Sequence, residues 1–184
     1  MTDHRMPPQP KHVTAGRPAV NSAAGARGEG CVAVAVGVIS DTHGLLRPQA
    51  LQALAGSDLI IHAGDIGDPA ILAQLALIAP VTAVRGNNDQ GGWARQVPET
   101  AVLEAGGALI YVIHDLAELE LDPAAAGFRV VVAGHSHKPG QQRRDGVLYL
   151  NPGSAGPRRF TLPIALARLR INGNDAQGEI VELG

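Results

Sequence analysis

The sequence predicts a mixed α/β (α+β) sandwich, and three observations support this fold class. Short apolar runs rich in β-branched residues alternate with segments of helical spacing in the first half of the chain. In the second half, strand-like runs follow one another across glycine turns, which is typical of hairpins. Most of the apolar runs also end abruptly in polar residues, as strands do when they deliver side chains to one edge of a sheet.

Length and composition fit one folded domain. The chain has 184 residues, of which 45% are hydrophobic, and we expect one core over residues 31–184. Residues 1–30 scatter prolines and glycines without apolar periodicity, so a disordered extension is expected there, with an arginine-containing transit peptide as the alternative. One cysteine, Cys31, and apolar runs too short to span a bilayer favour a cytoplasmic protein.

Charge and aromatic content bear on the partners. The formal net charge is −2 and aromatic residues make up 3% of the chain. Nucleic-acid binders typically have a basic surface and stacking rings, so bulk nucleic-acid binding is not expected; a nuclease for short oligonucleotides stays an alternative. The sequence does not decide the oligomeric state, and a homo-oligomer is open.

Three strands are predicted in the first half, and each leads into polar residues. They lie within residues 32–44, 58–62 and 81–84. The polar side chains that follow them are Asp41 and His43, then Asp65, then Asn87. Because ligands of α/β sheets bind beyond the carboxyl ends of the strands, we expect these side chains to lie at a site.

Two helices are predicted between these strands. Residues 48–56 have helical spacing, with Pro48 in the first turn and Gly56 where the helix would stop. Asp68 is the expected cap of the second helix, with Pro69 at its first position.

The second half is predicted to contain a helix over residues 116–126 and six further strands. These strands are residues 100–103, 108–113, 130–133, 147–150, 162–171 and 178–183, the last two forming a hairpin. Three of these strands end in polar groups, which are His114, then His135 and His137, then Asn151 and Ser154.

The histidines point to a metal site when they are considered together. Five of the seven directly follow an apolar strand: His43, His62, His114, His135 and His137. A single histidine in such a position is more often a packing or surface residue than a ligand, but Asp41, Asp65 and Asn87 occupy equivalent positions. Carboxylate, amide and imidazole ligands without thiolate suit Mn, Fe, Ni, Co or Zn. Two such cations about 3.5–4 Å apart can clamp an in-line displacement at phosphorus.

Five motifs resemble, in order, those of the calcineurin-like metallophosphoesterases. They are Asp41-Thr42-His43, Gly64-Asp65, Gly86-Asn87-Asn88-Asp89, His114 and Gly134-His135-Ser136-His137. The short length and Asn151-Pro152-Gly153-Ser154 are most similar to the small prokaryotic phosphodiesterases of that superfamily. The resemblance implies a four-layer αββα sandwich, with two mixed sheets flanked by helices. It also implies a hydrolase with two divalent metal ions, usually Mn and in some members Ni, Fe or Zn.

The resemblance also implies roles for individual residues. Asp41, His43, Asp65 and His137 would hold the first metal, and Asp65 would bridge to a second metal held by Asn87, His114 and His135. A hydroxide between the metals would attack a small phosphate ester, with Asp65, Asn87 and His114 as the catalytic residues. Many relatives carry histidine or cysteine where this chain has Asn88, an amide that cannot act as a general acid.

Other residues have two explanations each. His62 either supports the ligands or is structural, Asn151 and Ser154 either bond to the ligands or form a plain turn, and Trp93 either lines the mouth of the site or packs. Five arginines are candidate phosphate contacts or solvated charges: Arg85, Arg143, Arg144, Arg158 and Arg159. A protein-binding scaffold of the same fold, as in the retromer complex, is the alternative to an enzyme.

Overall fold

The computed structural model describes residues 33–159 and 161–184, and the expected extension over residues 1–30 lies outside them. No helix within the described ranges is both long and apolar enough to cross a bilayer. The elements in chain order are β1 (Val34–Ile39), α1 (Pro48–Leu54), β2 (Leu59–His62), α2 (Pro69–Leu75), β3 (Val81–Ala83), a 3-10 helix (Ala94–Gln96), β4 (Thr100–Ala105), β5 (Ala108–Ile113), a second 3-10 helix (Leu116–Glu118), β6 (Phe128–Val132), β7 (Gly140–Arg144), β8 (Val147–Asn151), β9 (Ala165–Asn172) and β10 (Asp175–Glu182).

The strands form two mixed sheets of five strands each, which confirms the predicted fold class. The first sheet has the order β10-β9-β1-β2-β3, and in it β1, β2 and β3 are parallel. The second has the order β4-β5-β6-β8-β7, and in it β5, β6 and β8 are parallel. Antiparallel neighbours complete each sheet, including the predicted closing hairpin of β9 and β10. In each sheet, therefore, the carboxyl ends of three parallel strands lie side by side.

The main hydrophobic core lies between the two sheets. Side chains alternate along each strand, so every second residue faces the opposite sheet. Val36 and Val38 of β1 belong to one buried cluster with Ile110 of β5 and with Val130 and Val132 of β6. This core holds the two sheets together and fixes the positions of their strand ends.

A second core lies on the outer face of the first sheet. Leu54 of α1 and Leu75 of α2 share one buried cluster with Ile39 and Ile60. The second helix begins as predicted, since the Asp68 side chain accepts a hydrogen bond from Ala70 N at 2.8 Å. This helical layer covers the outer face of β1 and β2, and the polar groups of these two strands follow at their carboxyl ends.

The helix predicted over residues 116–126 is wrong. Asp115 does cap the chain there, but only the second 3-10 helix forms, and Leu119 is already extended with ψ 106°. Asp122 precedes Pro123, a position at which helical backbone is disfavoured. Asp122 instead accepts hydrogen bonds from the next turn, at 3.0 Å from Ala124 N. The segment is therefore two separately capped turns.

Two further elements were not predicted. Strand β7 reads GQQRR and lies at the edge of the second sheet, where one polar face is exposed, so it lacks an apolar alternation. Its turn signal is present as Asp145-Gly146, both left-handed with φ 50° and 79°. The first 3-10 helix follows Trp93. Trp93 packs against the second core, on the outer face of the first sheet, so the packing explanation for this residue is confirmed.

Candidate metal centre

The seven predicted ligands lie on loops that directly continue the parallel strands. Backbone hydrogen bonds carry the sheet register into these loops, from Asp41 N to Gly64 O at 3.0 Å and from His43 N to Asp65 O at 2.9 Å. The loops of the second sheet are joined in the same way, by Gly134 N donating to His114 O at 2.9 Å. The strand ends thus hold the ligand loops side by side.

Four of the residues form one compact group. Asp41, His43, Asp65 and His137 each offer one potential ligand atom, and these atoms all lie within 4.8 Å of one another. His137 Nε2 is 3.2 Å from Asp41 Oδ1, and His43 Nε2 is 3.8 Å from Asp65 Oδ2. Two carboxylates and two imidazoles in this space are a donor set that suits a divalent transition metal.

Several atoms of this first group are buried without a hydrogen-bond partner among the described residues. They include Asp41 Oδ1, His43 Nε2 and His137 Nδ1. An unpaired buried polar atom costs about 1–3 kcal/mol, so such atoms are rarely left without a reason. A cation between Asp41 and His43 would satisfy both of their orphaned atoms, and the group therefore fits a metal ion.

Burial controls the protonation of the first group. Asp41 is fully buried, and desolvation raises the pKa of its carboxyl to about 6 against the hydrogen bond from Ser40. Burial lowers the pKa of His43 and of His137, and the positive charge of Arg159 acts in the same direction. Both imidazoles are therefore neutral at pH 7 and retain a lone pair for a cation.

Asn87, His114 and His135 form a second group beside Asp65. Asn87 Oδ1 lies 3.2 Å from His114 Nε2 and 3.1 Å from His135 Nδ1. His114 Nε2 is 3.5 Å from Asp65 Oδ1. The two groups thus meet at Asp65, whose Oδ1 faces His114 and whose Oδ2 faces His43.

Neighbouring groups orient the two histidines of the second group. His114 donates from Nδ1 to Ala63 O at 2.7 Å, because a carbonyl oxygen can only accept. Burial opposes protonation of His114, but the hydrogen bonds with Asp65 and Ala63 and the negative charges of Asp65 and Asp41 together outweigh it and raise the pKa of His114. His135 Nε2 lies 3.5 Å from Asp115 Oδ2, which leaves Nδ1 facing Asn87. Carboxylate and carbonyl partners of this kind commonly hold metal-binding imidazoles.

Asp65 is held on three sides. Asn88 donates to both of its oxygens, from the backbone N to Oδ1 at 2.8 Å and from Nδ2 to Oδ2 at 2.6 Å. Desolvation opposes ionisation, but the hydrogen bonds from His114 and Asn88 outweigh it and lower the pKa of Asp65. Gly86 packs against this carboxylate so closely that a Cβ there would lie 2.2 Å from Asp65 Oδ1. Asp89 is separate from both groups and accepts hydrogen bonds from backbone N–H groups, including that of Gly86 at 2.8 Å.

Five of the seven residues have left-handed backbone. The φ angles are 55° at Asp41, 46° at His43, 53° at Asp65, 63° at His135 and 57° at His137. With this backbone, His43 Nε2 comes within 3.9 Å of Asp41 Oδ1. Left-handed backbone is strained for residues other than glycine, although aspartate, asparagine and histidine tolerate it best.

His62 and Ser154, which each had two explanations from the sequence, both support the loop that carries Asp41 and His43. The Thr42 hydroxyl donates to Ile66 O at 2.9 Å, so it accepts from His62 Nε2 at 2.9 Å. Burial lowers the pKa of His62 to about 3, so this imidazole is neutral. His62 thus fixes Thr42 between Asp41 and His43. Ser154 also bonds to this loop, donating to Asp41 O at 2.9 Å.

Three more residues support the ligands. For Asn151 the sequence left a contact to the ligands and a plain turn as alternatives, and for Ser40 and Asp115 it predicted no role. Asn151 Nδ2 donates to Gly134 O at 2.7 Å and so holds the loop that carries His135 and His137. Ser40 donates to Asp41 Oδ2 at 2.7 Å. Asp115, which faces His135, directly follows His114, and Ser40 directly precedes Asp41. Sequence adjacency to a predicted ligand is therefore the signal that could have found both.

Fold and site together define a class of protein, in which the parallel strands of two mixed sheets carry carboxylate, amide and imidazole groups to one place. The family model of the calcineurin-like phosphoesterase superfamily domain matches residues 34–174. A relative named "Probable metallophosphoesterase", from Methanothermobacter thermautotrophicus, is 34% identical over an alignment of 161 residues that covers 81% of this chain and 92% of the relative. The chain belongs to the calcineurin-like phosphoesterase superfamily, as its motifs predict, and this family uses divalent metals.

Solved structures share the fold at lower identity. A protein described as a novel archaeal phosphodiesterase has a TM-score of 0.66 and 22% identity, over 80% of this chain and 99% of that chain. Vps29 of Entamoeba histolytica in complex with Zn²⁺ has a TM-score of 0.63 and 23% identity, over 82% of this chain and 99% of that chain. These likenesses establish the fold.

Proposed function

We propose that this protein is a metal-dependent phosphoesterase that hydrolyses a small phosphodiester in the cytoplasm. Asp41, His43, Asp65 and His137 would hold one divalent cation, and Asn87, His114 and His135 would share Asp65 with a second. The observation that supports this most strongly is Asp65 itself, whose Oδ2 is 3.8 Å from His43 Nε2 and whose Oδ1 is 3.5 Å from His114 Nε2. One carboxylate facing two imidazole groups is the arrangement expected of a bridging ligand.

The chemistry follows from the donor set. Two cations held there would generate a nucleophile from water near neutral pH and neutralise the charge of the phosphoryl oxygens. The residues of this chain keep the site ready for them: Asp65 stays ionised because its pKa is lowered, and His43 stays neutral because burial lowers its pKa. With no thiolate among the donors, Mn fits the set best by family resemblance, with Ni, Fe, Co or Zn as alternatives.

The proposal also limits the leaving group. Asn88 stands next to Asn87, but its amide donates to Asp65 Oδ2 at 2.6 Å and carries no acidic proton. Asn88 therefore positions the shared carboxylate and does not protonate a departing alkoxide. Esters whose leaving groups are stable as anions should consequently be hydrolysed much faster than simple alkyl esters.

A protein-binding scaffold is the second candidate function. Vps29 is such a scaffold, and the structure of its Entamoeba form with Zn²⁺ means that metal binding alone does not separate the two functions. The shared position of Asp65 between the two groups favours hydrolysis. An enzyme needs both groups assembled, whereas a scaffold has no such requirement.

The test combines metal analysis with hydrolysis. Protein stripped with EDTA is reconstituted with Mn²⁺, its metal content is measured by elemental analysis, and release of 4-nitrophenolate from bis(4-nitrophenyl) phosphate is followed. We expect two Mn²⁺ per chain and hydrolysis that depends on the metal, with the monoester 4-nitrophenyl phosphate cleaved more slowly. Metal uptake without hydrolysis of either ester would favour the scaffold. A protein that takes up no metal would contradict the proposal.

A further inference from the structure

A cavity of about 300 Å³ opens over the proposed metal centre. Ligand residues of both groups line it, His43 and His137 from the first and Asn87 and His135 from the second. Arg159, from the loop before β9, also lines it. Among the described residues of this lining, Arg159 is the one side chain with a permanent positive charge.

Arg159 differs from the other candidate arginines because it lines this cavity and has no ion-pair or hydrogen-bond partner for its side chain among the described residues, 33–159 and 161–184. Its neighbour Arg158 is exposed, as Arg159 is, but does not line the cavity. The other three have partners, which are Glu99 for Arg85, the carbonyl of Ala176 for Arg143 and the ring of Tyr149 for Arg144.

The loop that carries Arg159 is docked on the first ligand loop. The backbone N of Ala155 donates to Ser40 O at 3.1 Å, next to the bond from Ser154 to Asp41 O. Gly156 lies so close to this loop that a Cβ would be 2.3 Å from Thr42 O. The position of Arg159 is therefore tied to the backbone that carries Asp41 and His43.

We infer that Arg159 forms a phosphoryl-binding subsite, in which its guanidinium binds a non-bridging oxygen of the phosphate ester on the His43 and His137 side of the cavity. The inference rests on the proposed function, since the anion that Arg159 would bind is the phosphate ester that the metal centre would hydrolyse. A guanidinium donates two parallel N–H groups to such oxygens, and charge-assisted hydrogen bonds are about twice as strong as neutral ones. The charge of Arg159 already reaches both imidazoles, because it lowers the pKa of His43 and of His137.

The test compares Arg159→Ala and Arg159→Lys with Arg158→Ala, an exposed neighbouring arginine that serves as the matched control. Binding of inorganic phosphate to each Mn²⁺-loaded protein is measured by isothermal titration calorimetry, and metal content is measured by elemental analysis. We expect Arg159→Ala to keep its metal and to bind phosphate about tenfold more weakly, which corresponds to about 1.4 kcal/mol. Arg159→Lys should recover part of the loss, because lysine restores the positive charge but not the two parallel N–H donors of the guanidinium. Arg158→Ala should behave like the wild type.

Hydrolysis separates this inference from the proposed function. KM for bis(4-nitrophenyl) phosphate should rise in Arg159→Ala more than in Arg158→Ala. If hydrolysis is present but both alanine variants bind phosphate as the wild type does, the subsite is wrong and the phosphoesterase proposal stands. If phosphate binding depends on Arg159 but no ester is cleaved, the subsite stands and the proposed activity fails. A wild-type protein that binds metal but no phosphate would overturn the subsite directly.

Discussion

A buried carboxylate should destabilise the metal-free protein. Asp41 is fully buried, and burial is the main reason why its pKa is raised to about 6. The substitution Asp41→Asn removes the charge and keeps an oxygen able to accept the hydrogen bond from Ser40, which is 2.7 Å long in the wild type. We therefore expect Asp41→Asn to be more stable than the wild type when no metal is present, although it removes a proposed ligand.

The magnitude follows from the shift in pKa. The carboxyl of Asp41 has an ordinary pKa of 3.8 and a folded-state value of about 6, and one pKa unit corresponds to about 1.4 kcal/mol. Ionisation of Asp41 therefore costs the folded protein about 3 kcal/mol once the pH exceeds that folded-state value. Because the folded state holds this proton more tightly, the loss begins as the pH rises through 3.8 and is complete above about 6. The advantage of Asp41→Asn should follow the same course.

Urea denaturation of EDTA-treated wild type and Asp41→Asn, at several pH values between about 4 and 8, measures this difference. Asp145→Asn is the matched control, since Asp145 is an exposed aspartate that is also left-handed, with φ 50°. Mn²⁺ should reverse the order of stability, because a ligand that binds only the folded state stabilises it and the variant lacks one donor. The reasoning fails if Asp41→Asn is the less stable protein at pH 8 without metal, or if the difference does not change with pH.

Three further substitutions test the site and its supports. Asp65→Asn should lose metal at both positions and nearly all hydrolysis, while Asp145→Asn keeps both; full metal content and normal turnover in Asp65→Asn would contradict the shared-ligand assignment. Gly134→Ala should lower the free energy of unfolding by about 2 kcal/mol or more, because its Cβ would lie 2.1 Å from Ser40 Oγ, whereas at Gly140 nothing lies within 4 Å and the same change should be nearly neutral in urea denaturation. His135→Gly should be about 1 kcal/mol more stable than His135→Ala in the metal-free protein, because position 135 has φ 63°; equal urea midpoints would argue against backbone strain there.

The assembly of the site could be predicted because it follows from parallel strands. Apolar runs that end at Asp41, Asp65 and Asn87 indicate strands, and parallel strands in one sheet end side by side. The second sheet contributes His114 in the same manner from β5, which is parallel to β6. A short apolar run followed by a polar residue therefore places a side chain at this edge when the strand runs parallel to its neighbours, whereas β9, which is antiparallel to β1, ends at the opposite edge.

The missed elements have local causes that hydrophobic periodicity does not report. Over residues 116–126, the spacing of leucines and alanines is helical, but Asp122 caps a new turn before Pro123 and interrupts the helix. Strand β7 is missed for a different reason. It is an exposed edge strand, so its sequence has no apolar face that would indicate a strand. Its only sequence signal is the Asp145-Gly146 turn, which pairs it with β8.

Arg159 shows where prediction from sequence reaches its limit. The sequence offers five equivalent arginines, and nothing in their neighbours separates Arg159 from Arg158. What separates them is that Arg159 lines the cavity and Arg158 does not, and this follows from how their shared loop docks, with Ser154 reaching Asp41 O at 2.9 Å and Gly156 fitting against Thr42. Contacts between residues more than a hundred positions apart belong to the folded protein and leave no local pattern.

The left-handed backbone of five ligand residues explains why so many hydrogen bonds hold the loops of the proposed metal centre. Five strained positions at about 1 kcal/mol each amount to roughly 5 kcal/mol, which is as large as the whole stability of many domains. Such strain persists only where the surroundings over-determine the backbone. The bonds from Asp41 N to Gly64 O, from His43 N to Asp65 O and from Ser154 to Asp41 O do this for the first loop. The first ligand loop should therefore keep its shape without metal, so that a cation meets the preformed ligands Asp41 and His43.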